Sequence, residues 1–381
     1  MAYEDDAVPA DAMKRPGRRQ FVTRSAAVAG ALPFLGLDAE PAHAQQTAEL
    51  PRSGQRFEFG IMGDMPYTRK QEAEYERVIA DLNARELAFA VHIGDAMFDP
   101  RPYERNPDLA REPGSDENYR YVLGTFESCR HPLVFTPGDN DWSDYVEFQK
   151  VKAEPFACLA KVRETYFRPG RTLGQRTMPV TSQRDDPKHQ DYVENLAWSA
   201  GGVGFVSLHL LGSNDNFQRS PELEAERLRR QAANLAWLRS AFQRARDEKS
   251  LGLAIMIHAN PGFENHWPAS YLSRYFRLFD GMKAPNPPKP TPYDEYIKAL
   301  AAEMESYDRP TALFHGDTHL FRIDKPLFSA KSKRLFENFT RVETFGWPDS
   351  HWVRVTVDPA NPQLFSFTPQ MVQGNRMNHL G

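Results

Sequence analysis

The sequence predicts an α/β fold, and two observations carry that prediction. Short apolar runs at 57–62, 88–93 and 132–136 alternate with amphipathic stretches at 70–86 and 118–128, the order of strand–helix–strand units. Each of these runs closes on a Gly-Asp pair, at 63–64, 94–95 and 138–139, and a fourth pair at 316–317 follows a later run. Ligands collect at the carboxyl ends of strands in such folds, and glycine lets the chain turn there.

In chain order, residues 57–62 read as the first strand. The stretch 70–86 reads as a helix because Tyr75, Val78, Ile79, Leu82 and Leu87 recur at helical spacing. Strand 88–93 follows, then a loop at 99–114 rich in Pro, Arg and Glu, then a helix at 118–128 and a strand at 132–136. The segment from 142 to about 196 is less regular, with a helix in 154–166. Residues 203–211 are strongly apolar and read as a buried strand. A long helix at 222–248 sets Leu228, Leu235, Leu238 and Phe242 on one side. Strand 251–257 runs into His258. Residues 281–292 hold five prolines and read as a stiff exposed loop. Helix 293–306 precedes strand 311–314, which runs into His315-Gly316-Asp317-Thr318-His319. Residues 341–345, 351–358 and 364–368 read as successive antiparallel strands.

The amino-terminal segment has a different character. Arg18-Arg19-Gln20-Phe21-Val22, an uncharged stretch at 25–37 and Ala42-His43-Ala44 form the basic, apolar and small-residue parts of an export signal. Residues 1–44 are therefore expected to be a twin-arginine signal, with the twin-arginine export machinery as partner and a periplasmic or extracellular destination. Residues 45–381 show no repeat and no linker and are expected to form a single domain. No apolar run reaches the 18 or so residues of a membrane span. A net charge of -4 argues against nucleic-acid binding by bulk charge. Two cysteines, Cys129 and Cys158, exclude a disulfide framework or a four-cysteine zinc site, although an exported pair could bond.

Five strand ends would deliver Asp64, Asp95, Asp139, His258, Asp317 and His319 to one edge. Carboxylates gathered there repel one another unless a cation lies between them. Mixed carboxylate and imidazole donors suit divalent metals, and a metal pair is the usual arrangement for phosphoester hydrolysis. Phosphate-loop, dinucleotide, serine-hydrolase and zincin motifs are absent.

Gly63-Asp64-Met65-Pro66, Gly94-Asp95, Gly138-Asp139-Asn140-Asp141, His258 and Gly316-Asp317-Thr318-His319 together resemble the calcineurin-like metallophosphoesterases over most of 57–368. Segments 63–67, 137–142 and 315–319 resemble an exported bacterial branch of that superfamily. The resemblance implies a four-layer sandwich, two mixed β-sheets face to face with helices outside. It implies two divalent ions: Asp64 and His319 on the first, Asp95 bridging, and Asp139, His258 and Asp317 on the second. It implies hydrolysis of a small phosphorylated substrate, a phosphomonoester or phosphodiester, by a hydroxide bridging the metals.

The departures from the motif define the expected site. Pro66 stands where the family has a metal-binding His, Asp139 where it has Asn, and Asp317 where it has His. Asn140 replaces the His that contacts the scissile phosphate, beside Asp141. Three imidazoles are lost and two carboxylates gained, which favours Mn, Mg or Ca over Fe or Zn. Asn140, Asp141 and His315 are the expected catalytic residues, with Tyr67 and His92 as further candidates to replace the lost imidazole. The rival reading is a catalytically degenerate protein of the same fold that binds metal or a phosphorylated ligand. A domain in which the Asp cluster only stabilises the fold is a third.

Overall fold

Two mixed β-sheets lie face to face in the computed structural model, which describes residues 46–97, 99–268 and 290–375. The expected export segment and most of the proline-rich stretch at 281–292 lie outside the described residues.

The first sheet has five strands in the order β14-β13-β2-β3-β4. Strands β2 (Phe57–Met62), β3 (Ala90–His92) and β4 (Leu133–Phe135) are parallel, and β13 (Trp352–Val357) and β14 (Phe365–Gln370) extend the sheet antiparallel. The second sheet has the order β11-β12-β10-β9-β8-β7-β6. Its parallel centre is β8 (Val203–Ser207), β9 (Leu253–Met256), β10 (Thr311–His315) and β12 (Phe339–Glu343). The antiparallel flanks are β11 (Arg322–Asp324), β7 (Leu196–Ala200) and β6 (Thr181–Ser182). The short β1 (Gln46–Thr47) pairs with β5 (Arg176–Thr177) apart from both.

Aromatic rings fill the space between the sheets. Phe59 on β2 meets Phe205 on β8 edge-on at 5.5 Å and Phe314 on β10 at 5.8 Å, and Phe89 meets Phe205 at 5.1 Å. Edge-to-face pairs of this kind add about 0.5–1.5 kcal/mol beyond area burial. Helices cover the outer faces. α1 (Arg69–Asn83), α3 (Asp116–Ser128) and α4 (Pro155–Tyr166) contribute Tyr75, Val78, Val122, Phe126 and Tyr166 to the core of the first sheet. α5 (Pro221–Asp247) and α6 (Asp294–Met304) set Leu238, Phe242, Ile297 and Leu300 against Val206, Ile255 and Leu313. The four-layer expectation is thus met. Ser220 starts α5 by accepting the Leu223 N–H with Pro221 at the first position, a cap of about 1 kcal/mol.

Several local expectations change. The 99–114 stretch is not all loop: Pro100–Arg105 forms a short helix, α2, capped by Asp99. The irregular middle hides β6 and β7. β7 turns into β8 through Gly201-Gly202, both with positive φ, a hairpin signal the expectation passed over. The carboxyl-terminal strands are not successive neighbours: β12 runs parallel to β10 in the second sheet, while β13 and β14 join the first. Leu228 is 51% exposed, because the inward face of early α5 carries Arg227, Arg230 and Asn234 instead.

Candidate metal centre

Parallel strands of both sheets end on one edge. β2, β3 and β4 supply Asp64, Asp95 and Asp139; β9 and β10 supply His258, Asp317 and His319. The backbone there is unusual. Asp64, Asp95, Asp317 and His319 all have φ between 54° and 74°, a region that costs ordinary residues roughly 1 kcal/mol or more each. Gly94, with φ of 102°, permits a close approach: a Cβ there would sit 2.5 Å from His258 Nδ1 and 2.8 Å from Gly138 N.

Two groups of donors result. The ligand atoms of Asp64, Asp95 and His258 lie within 4.8 Å of one another, as do those of Asp139, His258 and Asp317. His258 belongs to both groups. Its Nε2 is 2.9 Å from Asp139 Oδ1 and 3.4 Å from Asp95 Oδ1, and its Nδ1 donates to the Ile93 carbonyl at 2.9 Å. That bond fixes the ring and leaves Nε2 as the free donor atom, as when a backbone carbonyl holds the other nitrogen of a metal-binding imidazole. Asp64 Oδ1 accepts the Asp317 N–H at 3.0 Å and lies 3.4 Å from His319 Nε2. His319 Nδ1 donates to the Trp347 carbonyl at 2.6 Å. Asp317 Oδ2 accepts the Asn260 N–H at 2.9 Å.

Among the atoms of these six residues, three are buried and make no hydrogen bond: Asp64 Oδ2, Asp139 Oδ1 and His258 Nε2. The short His258–Asp139 approach therefore lacks hydrogen-bond geometry. Both atoms have acceptor character and are available to a common cation, so the donor set fits a divalent metal.

The electrostatics agree. Burial, then the neighbouring Asp139 charge, pushes Asp95 well above the ordinary carboxylate range, and the same causes raise Asp317 to about 7. Burial opposes a charge on His258, but Asp95, Asp139 and Asp64 outweigh it and raise its pKa. Asp139 moves the other way: burial opposes its charge, yet His258 and the Ser213 hydroxyl pull its carboxyl below the usual range. Without a cation, protons must do part of the work of neutralising this edge.

The expected catalytic residues separate. Asn140 lies in the site, its Nδ2 donating to Asp95 Oδ2 at 2.8 Å and its N–H to Oδ1 at 3.0 Å. Asp141 does not face the cavity. Its carboxylate accepts four backbone N–H groups, from Asp95, Ala96, Met97 and Gly138, at 2.6–3.0 Å. It clamps the β3 and β4 loops together. His315 is also turned away. Strand alternation sends Phe314 between the sheets and His315 to the other side, where its Nε2 is 3.9 Å from buried Glu343. His92 packs among Tyr75, Phe126 and Phe135 behind the first sheet. Tyr67 does reach the site: its hydroxyl donates to Asp95 Oδ2 at 2.7 Å and lies 3.1 Å from His319 Nε2. Its ring stacks on Trp347. Cys129 and Cys158 are buried and unpaired.

Two groups went unnoticed in the sequence. Ser213 donates to Asp139 Oδ2 at 2.7 Å and lies 2.9 Å from Asp144 Oδ2. Behind it, fully buried Arg230 joins Asp215 and Glu226. Gly212-Ser213-Asn214-Asp215-Asn216 is a turn-forming composition after a strand, and this was the readable signal.

No family model and no curated protein matches the chain. Among solved structures it is similar to a 5'-nucleotidase from Candida albicans, at 11% identity and a TM-score of 0.36, over 86% of this chain and 52% of that one. It is similar to the sulfate thiohydrolase SoxB from Thermus thermophilus, at 12% identity and 0.39, over 80% and 43%. A 5'-nucleotidase precursor from Thermus thermophilus gives 10% and 0.37, over 83% and 54%. The chain spans about half the length of these structures. Likeness at this level carries no argument about function, which rests on the site itself. Among the described residues no helix is long and apolar enough to cross a membrane.

Proposed function

We propose that this chain is a metal-dependent hydrolase of phosphoric esters. The observation that carries the reading is the convergence of bare, buried donor atoms from both sheets on one strand edge: Asp64 Oδ2, Asp139 Oδ1 and His258 Nε2. Asp64, Asp95, Asp139, His258, Asp317 and His319 would hold divalent cations, with oxygen-preferring ions favoured. Bound there, such ions neutralise phosphoryl oxygens and lower the pKa of water.

The chain's own groups divide the remaining tasks. The Ile93 and Trp347 carbonyls orient the two imidazoles, and the Asp141 clamp fixes the loops that carry Asp95 and Asp139. Asn140 and Tyr67 place an amide and a hydroxyl donor beside Asp95. Tyr67 is the proton-bearing side chain that stands in for the missing imidazole at the phosphate. In the same reading, 1–44 is the address for the twin-arginine machinery and 45–381 is the exported hydrolase.

A phosphatase screen with Mn²⁺, Mg²⁺, Ca²⁺ and Zn²⁺ on monoester and diester substrates tests this. Turnover that disappears in Asp95→Ala supports it. A metal-loaded protein with no turnover under any ion would favour the second reading, a phosphorylated-ligand binder. One observation speaks for that second reading: the Asn140 amide is already engaged with Asp95, and neither His92 nor His315 faces the cavity.

A further inference from the structure

A cavity of about 610 Å³ opens beside the metal centre. One side is formed by Asp95, Asp139, Asp317 and His319; the other by Arg101, Asp144, Ser213, Phe148, Phe217 and Arg219. That volume suits a small organic ligand and exceeds what a phosphoryl group alone needs. We propose that the second side is a subsite for the leaving group, and that it takes a neutral polyhydroxyl group, so that the substrates are sugar or polyol phosphates. This rests on the hydrolase reading above.

Charge supports a neutral occupant. Arg101 is paired with Asp99 at 2.5 Å, and Arg219 with Asp144 at 2.6 Å. Besides His319, these two arginines are the cationic side chains among the described residues lining the cavity, and each is compensated. A second anionic group would meet no uncompensated cation. Adjacent guanidinium, carboxylate and hydroxyl groups instead match neighbouring hydroxyls, each of which both donates and accepts. Half-buried Phe148 and Phe217 offer the apolar surface that the C–H face of a sugar ring requires, and Arg227 holds the Phe217 ring at 5.3 Å.

The backbone shows that this wall is built with effort. Ser213, Asn214, Asp215 and Asn216 have successive φ values of 43°, 57°, 52° and 63°. A run of four non-glycine residues in the left-handed region is strained and persists only when its surroundings impose it. Here the constraint is the buried Asp215–Arg230 pair at 2.5 Å. The outcome of the strain is the position of Ser213, whose hydroxyl joins Asp139 of the metal centre to Asp144 of the rim.

The test compares kcat/KM of metal-loaded protein for glucose 6-phosphate, fructose 1,6-bisphosphate and p-nitrophenyl phosphate, in the wild type and in Arg219→Ala and Phe217→Ala. Melting curves confirm that the variants fold. The wild type should prefer the sugar monophosphate. Losing one charge-assisted contact should lower the sugar-to-aryl selectivity ratio about tenfold, mainly through KM. An unchanged ratio overturns the proposal, and so does a wild-type preference for the bisphosphate that Arg219→Ala removes. If no ester is hydrolysed, the hydrolase reading fails, and calorimetry of the metal-loaded protein then decides the subsite. Tighter binding of glucose 6-phosphate than of inorganic phosphate supports it, and equal affinity overturns it.

Discussion

Replacing Arg230 with Ala tests how the strained turn is held. Arg230 is fully buried; it donates to Asp215 Oδ1 at 2.5 Å, to Glu226 Oε1 at 2.9 Å and to the His209 carbonyl at 3.2 Å. Removing the guanidinium leaves two buried carboxyl groups without their cation, which costs about 3–5 kcal/mol. For a folded chain of about 340 residues that corresponds to roughly 4–7 °C in Tm. The loss should depend on pH. Burial raises Asp215 to about 6, with Arg230 holding it down from still higher values. A group whose folded pKa is raised gives stability that is full below its unfolded value of 3.8 and is lost as pH rises through the folded value. Without Arg230 the folded value rises further, so the variant should lose more at pH 8 than at pH 5. Differential scanning calorimetry at both pH values reads this directly. Equal losses at the two pH values, or a loss under about 1 kcal/mol, would refute the reasoning. The triple variant Arg230→Met, Asp215→Asn, Glu226→Gln should recover much of the stability, because these three positions then carry no charge.

Two further predictions concern the site and its scaffold. Gly94→Ala should lose both stability and metal uptake, since its Cβ would collide with His258 and Gly138; Gly124→Ala, in open space on helix α3, should instead gain about 0.5–1 kcal/mol in urea titrations. In chelated protein, Asp317 at about 7 predicts stability that is full near pH 4 and falls as pH rises through 7. Added divalent ion should then stabilise most at pH 8, and melting curves that stay flat from pH 5 to 8 would contradict this.

The site was legible where chemistry and strand ends coincide. Asp64, Asp95, Asp139 and Asp317 follow glycine at the ends of parallel strands, so a local pattern announced a shared edge. The roles of Asp141 and His315 were not legible. Asp141 closes a motif whose Asp139 and Asn140 face the cavity, and only the tertiary placement of the β3 loop gives its carboxylate four amides to hold. His315 follows strand parity, which sends it to the face opposite Phe314. Leu228 misled because early α5 packs on a buried ionic network rather than on apolar strands. The destination of β12 was beyond pattern reading, since pairing between distant segments leaves no local trace. Arg230 reads in sequence as one more surface arginine of a long charged helix, and only the fold reveals its burial.

The most direct test of the central claim is the metal content of purified protein, measured by elemental analysis after dialysis against Mn²⁺ or Zn²⁺. Divalent ion should stay with the wild type and be lost in His258→Ala, because His258 belongs to both donor groups. A wild-type protein that retains no divalent ion, or a His258→Ala variant that retains as much as the wild type, would contradict it.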